Sequence, residues 1–216
     1  MKKLILFLAL LSLPTAIYAQ KDTVIAIEKG HSPFVINPVI GLNYSAFHNE
    51  PEGLESKARL GWHLGLNFRI GEQLFFEPGI QYVMLNSKFQ STSGPLIDTA
   101  TLDNTDINML RIPLMLGIRM LSNEDKDNPL NVIVHFGLDV DFVTSIEQSN
   151  KALTSDDFKS PILGAVIGAG LDFLSFTFTV DYSYGLTPVF KDTYTPFGKE
   201  PRNDALYFNL GTKYQF

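Results

Sequence analysis

In eight stretches of this chain every second residue is large and apolar, and this period of two limits the fold more than any other feature. RLGWHLGLNFRI (59–70) shows it: Leu60, Trp62, Leu64, Leu66, Phe68 and Ile70 alternate with Gly61, His63, Gly65, Asn67 and Arg69. Successive side chains of a β-strand point to opposite faces, so such a stretch is a strand with one apolar and one polar face. The same pattern runs through 33–46, 74–85, 108–120, 130–143, 161–173, 175–187 and 204–216. Past residue 20 helical periodicity is hard to find, and no uninterrupted apolar run approaches the ~20 residues that a spanning helix needs.

The composition of the two faces indicates which solvent the apolar one meets. A soluble sandwich would turn interspersed Lys and Glu outward. Here the polar face is rich in Gly and Asn with a few charges of mixed sign, and the apolar face carries no charge in the middle of any strand. The connections are also sorted. The chain turns briefly at Gly71–Gln73, at Leu174–Ser175 and through 121–129, whereas 47–58, 86–107, 144–160 and 188–203 form long loops. Short turns at one end and long loops at the other are the pattern of an outer-membrane barrel, with the short turns periplasmic. Eleven residues rising ~3.3 Å each and tilted by ~45° span about 25 Å, the height of such a barrel's apolar band. Aromatics fall at both edges of that band. Phe76, Phe173, Phe176, Tyr214 and Phe216 are expected near the periplasmic rim, and Tyr44, Trp62, Tyr82, Phe142 and Tyr184 near the outer one. The predicted fold is therefore all-β: an eight-stranded antiparallel up-and-down transmembrane β-barrel over residues 33–216.

The rest of the chain agrees on the compartment. Lys2 and Lys3 precede the apolar run LILFLALLSL (4–13), then Pro14 and a short segment ending at Ala19. This reads as a secretory signal peptide over 1–19, too short to span a membrane, followed by a short periplasmic segment over 20–32. A net charge of −6 and a pI near 5.2 leave no broad basic footprint, so nucleic acid is not an expected partner. The absence of cysteine excludes disulfides, thiolate metal sites, a cysteine nucleophile and a lipidated N-terminal cysteine. The last stretch ends with Phe208, Leu210, Tyr214 and Phe216 on its apolar face, and an aromatic final residue reads as an assembly signal for the outer-membrane insertion machinery. Outer-membrane lipid and, during insertion, that machinery are the expected partners.

The stretches INMLRIPLMLGIRM (107–120), VIGAGLDF (166–173), VDYSYGLTPVF (180–190) and YFNLGTKYQF (207–216) resemble the PorT-like outer-membrane β-barrel family of Gram-negative bacteria, with support from GWHLGLNFRI and FFEPGIQY (75–82). The resemblance covers essentially the whole mature chain and implies the barrel architecture. The family's namesake belongs to a protein secretion apparatus, so the resemblance also implies a candidate role among envelope or secretion-complex proteins. No motif in the chain carries that role over by itself.

Chemistry, if present, belongs to the inward face. It carries Arg69, Arg111, Arg119 and Lys213 against Glu77, Asp139, Asp141, Asp172 and Asp181. An eight-stranded barrel is only wide enough for its own side chains, so these charges are expected to pair in a plugged lumen. Arg69, Arg119, Asp172 and Lys213 are predicted near the periplasmic end, and Arg111, Glu77 and Asp181 nearer mid-height. His63 and His135 are predicted in the outer half, where His135 with Asp139 and Asp141 could hold a cation; a hydrogen-bonded network is the plainer reading. None of the four histidines has metal-ligand spacing. In GAVIGAG (164–170) the glycines share the inward face of a strand with Asp172, whereas a nucleotide loop needs them in a turn between strand and helix. No cofactor, metal or catalytic residue is therefore expected. Three functions stay open: a non-enzymatic structural or interaction barrel, a narrow porin for ions or small solutes, and an outer-rim lipid hydrolase or protease using Ser45 and His48 with Glu50 or Glu52.

Overall fold

The computed structural model describes residues 34–48, 54–91, 104–120, 130–148, 158–191 and 201–215. The leader over 1–19, the segment 20–32 and Phe216 lie outside them. No helix occurs among the described residues. The alternating stretches form eight strands: β1 (Phe34–His48), β2 (Leu54–Gly71), β3 (Leu74–Ser91), β4 (Asn104–Met120), β5 (Leu130–Gln148), β6 (Ile162–Phe173), β7 (Phe176–Gly185) and β8 (Arg202–Thr212). A two-residue piece, Tyr214–Gln215, continues β8 and pairs with Ile36 and Val35 of β1. Each strand is antiparallel to its neighbour in sequence, and β1 pairs with both β2 and β8, so the sheet closes. Closure removes the edges and pairs the backbone between strands, the condition for crossing hydrocarbon with β-structure.

The faces sort as the alternation predicts. Leu60, Trp62, Leu64, Leu66 and Ile70 of β2 are exposed on the outside, while His63 and Arg69 are buried inside. Room for the inward side chains comes from glycines on facing strands. Gly41 lies between His63 and Asn209, and Gly168 between His135 and Asp181. A Cβ at either position would run into those side chains or the facing backbone. The Gly-rich inward face is thus a packing device of a narrow barrel.

The short turns differ slightly from expectation. Gly71 still pairs with Phe75, and the turn is Glu72–Gln73, with Gly71 at φ +114°. The turn at Leu174–Ser175 is as read, with Leu174 in the left-handed region at φ 51°. The larger difference is at the opposite end. β2, β3, β4 and β5 contain 18, 18, 17 and 19 residues, so the expected loops 47–58, 86–107 and 144–160 are partly strand. β7 and β8 are shorter than read, at 10 and 11 residues. Exposed Trp62 and Tyr82 pack ring to ring at 5.8 Å, and Trp62 lies nine residues above the end of β2. That is ~20 Å of height at strand rise and tilt, near the top of the apolar band. Beyond it the ladder of β2 with β3 continues to Leu54 and Ser91, so period two stops while the strands continue.

Candidate functional site: a three-layered lumen

Every charged group singled out on the inward face lies inside the barrel, and the register sorts them into layers. The lowest, near the short turns, is organised by two residues from opposite walls. Arg69 of β2 donates through Nε to Glu77 at 2.5 Å and through Nη1 to Asp172 of β6 at 2.7 Å. Asp172 is 0% exposed and also faces Arg119 at 3.8 Å and Lys213 at 3.7 Å, while the Thr177 hydroxyl donates to its other oxygen at 2.7 Å. The Phe75 ring lies under the Arg69 guanidinium, 4.6 Å from its carbon. Asn67 Nδ2 donates to Glu77, and Gln81 donates to Asn67. Glu77, expected nearer mid-height, belongs to this layer because β3 starts at the short turn only three residues before it. Three cations meet two carboxylates here.

The middle layer is a chain of hydrogen bonds. His63 Nε2 meets Asn209 Oδ1 at 2.6 Å, the Asn209 amide donates to Asp181 and to Thr179 at 2.8 Å each, and Asp181 meets His135 Nε2 at 2.7 Å. With the Asn209 amide committed as donor, its oxygen accepts, so His63 donates from Nε2. His135 is lower than the outer half in which the sequence placed it. It stands five residues above the start of β5, opposite Gly117 and Gly168, and turns to Asp181 rather than to Asp139 and Asp141. Asn209 links His63 to Asp181, which His135 meets directly; as an ordinary inward Asn of a strand it gave no sequence signal for this role.

In the upper layer Arg111 of β4 pairs with Asp139 of β5, and the Ser183 hydroxyl donates to the same carboxylate at 2.7 Å. The Tyr207 ring stacks 3.8 Å from the Arg111 guanidinium carbon. Asp141 stands directly opposite Arg111 in the ladder.

Above this layer the lumen becomes apolar, which the sequence reading missed. Phe47, Val83, Leu85, Ile107, Met109, Ile162 and Tyr207 turn inward from five strands and meet Phe158, Val189 and Phe190. The last three come from the segments flanking β6 and β7. Phe158 bridges Phe190, their rings 4.7 Å apart, and Lys159 N donates to Val189 O at 2.8 Å. These segments fold into the mouth as an apolar plug. Where both faces of a stretch are apolar, or the residue lies beyond a strand, alternation gives no signal. Two small voids remain along the lumen, of about 10 Å³ beneath the plug and about 20 Å³ between the lower and middle layers. Each has room for about one water molecule.

The candidate catalytic pair does not assemble. Ser45 is fully buried on the inward face, whereas His48 lies on the outward parity of β1, pairs with Asp204 at 3.1 Å and stacks on Tyr184. Glu50 and Glu52 lie outside the described residues. Among the described residues no three His, Cys, Asp or Glu side chains are placed to hold a metal ion. Phe208, Leu210 and Tyr214 of the closing strand are exposed on the outer face.

A closed barrel with an apolar exterior and a polar, salt-bridged interior defines an integral outer-membrane protein. The chain belongs to the outer membrane protein beta-barrel domain family, whose sequence profile matches residues 18–191. No curated protein matches it in sequence. Among solved structures it is similar to Neisserial surface protein A, at 12% identity and TM-score 0.51, covering 86% of this chain and 100% of the other. It is also similar to OprG of Pseudomonas aeruginosa, at 15% identity and TM-score 0.49 over 87% and 99%. Ail of Yersinia pestis, solved with the heparin analogue sucrose octasulfate, aligns at 11% identity and TM-score 0.43 over 84% and 99%.

Proposed function

We propose that this protein is a sealed, non-enzymatic structural or interaction barrel. The observation that carries this is the lumen itself, closed at two levels: by the charged cluster around Asp172 near the short turns and by the apolar plug around Phe158 and Phe190 at the mouth. In that reading the short turns face the periplasm, and the long far ends of β2, β3, β4 and β5 stand above the outer surface as the contact face for other envelope proteins. The resemblance to the PorT-like family names a secretion complex as the candidate partner, and co-purification from native outer membranes tests it: a stoichiometric complex supports it, and a lone protein removes it.

Planar-bilayer recording tests the seal. Purified protein should insert without a stable large-conductance state, because a passage limited to water-sized voids carries no ion stream. A steady open channel would replace this reading with that of a narrow porin. The assembly signal is tested separately. Removing Phe216 should lower the outer-membrane level in cells while export to the periplasm continues; an unchanged level would remove the role assigned to Phe208, Leu210, Tyr214 and Phe216.

A further inference from the structure

The upper layer is short of positive charge. Arg111 is the cation of this layer, and it faces two carboxylates, Asp139 and Asp141. Asp139 is 0% and Asp141 7% exposed, and Tyr207, Ser183 and the apolar plug surround them. An ionised carboxylate taken out of water without a partner is strongly disfavoured, so such a site either holds a proton or acquires a compensating cation. Two further observations show where it would go. Oδ1 of Asp139 and Oδ1 of Asp141 have no hydrogen-bond partner, although both residues line the void beneath the plug. Gly164 also lines that void, of about 10 Å³, and a Cβ there would stand against the Asp139 carboxylate and 2.7 Å from Ser183 Oγ.

We infer that the void between Asp139, Asp141 and Gly164 binds a monovalent cation no larger than about a water molecule, sodium or ammonium. The two open oxygens supply the negative charge and the Ser183 oxygen a neutral contact. Arg111 already lies against Asp139, and the room matches one small ion. A divalent ion is a poorer fit, since Arg111 has cancelled one of the two carboxylate charges. The ion would complete the charge balance of the upper layer and fix the floor on which Phe158 and Phe190 pack. The inference rests on the closed lumen. Conductance and ion-dependent stability are read in separate experiments, so either can fail without the other.

The test is urea unfolding of the full chain in zwitterionic lipid vesicles, at matched ionic strength, in sodium, ammonium or N-methylglucammonium chloride. The last cation is too large for the void. A ligand that binds only the folded state raises the folded-to-unfolded ratio about tenfold for each tenfold rise in its concentration above the dissociation constant. Wild-type protein should show that rise in sodium or ammonium and a flat response in N-methylglucammonium; a rise in only one of the two small ions identifies the occupant. Asp141→Asn removes the charge without changing shape and should flatten the response. Gly164→Ala keeps both carboxylates, displaces the Asp139 oxygen from its place beside the void and should flatten it too, which preserves the test if Asp141→Asn does not fold. Equal stability in all three salts, following pH alone, would overturn the inference in favour of a proton held on the pair. An ion response that persists unchanged in both variants would overturn it by placing the ion elsewhere.

Discussion

Asp172→Asn should lower the folding free energy in lipid vesicles by ~3–5 kcal/mol, the usual cost of removing one partner from a buried ion pair. Asp172 is the junction of the lower layer: Arg69 holds it at 2.7 Å, and Arg119 and Lys213 face it at 3.8 and 3.7 Å. The isosteric amide keeps the volume and the Thr177 contact but leaves three cations around Glu77 alone. The barrel tolerates the cluster because it is balanced and hydrogen-bonded; an apolar lumen of equal packing could be as stable. The effect therefore measures the uncompensated charge rather than the worth of the bridge. Asp172→Asn combined with Lys213→Met should recover part of the loss, since it removes one of the stranded cations. A loss below about 1 kcal/mol, the range of solvent-exposed pairs, would mean that water reaches this layer and that the short-turn end is open.

The strands were legible because lipid outside and polar contacts inside impose a strict period of two on every membrane-crossing residue. RLGWHLGLNFRI is assigned correctly residue by residue, with Trp62 and Leu64 outside and His63 and Arg69 inside. Legibility ends where that contrast ends. Above the aromatic ring at Trp62 and Tyr82 the continuation of β2 to β5 gives no alternation to read. Inside the mouth Leu85, Ile107 and Met109 are apolar at inward positions, Leu85 beside Met84 and Met109 beside Leu110, and the register shifts at Asn108/Met109, so the plug does not stand out in the sequence. The inward charges were identified, but not all of their partners. Arg111 and Asp141 face each other on neighbouring strands. Arg69 and Asp172 are 103 residues apart on β2 and β6, opposite walls that meet only when the barrel closes. Pairing across the lumen depends on stagger and tilt, which no single strand encodes. This is why His135 and Glu77 were assigned to the right face at the wrong height.

Leu64→Arg and Leu60→Arg should differ in cost although both leucines sit on the same face of the same strand. Leu64 lies one outward position below Trp62, pairs across to Ile40 and Tyr82 and is 47% exposed, so its side chain meets hydrocarbon. An arginine there should cost ~2–4 kcal/mol, the midplane penalty for a lipid-facing cation on a barrel. Leu60 lies above Trp62 and is 57% exposed, where water and headgroups begin, and an arginine there should cost ~0–1 kcal/mol. Urea unfolding in vesicles reads both values. The gradient separates the solvents: a protein core would penalise both positions heavily, and water would penalise neither. Equal costs would remove the assignment of the Leu60–Ile70 face to the bilayer. A reversed gradient would place the midplane nearer Leu60 and extend the membrane-embedded part of β2 toward its far end.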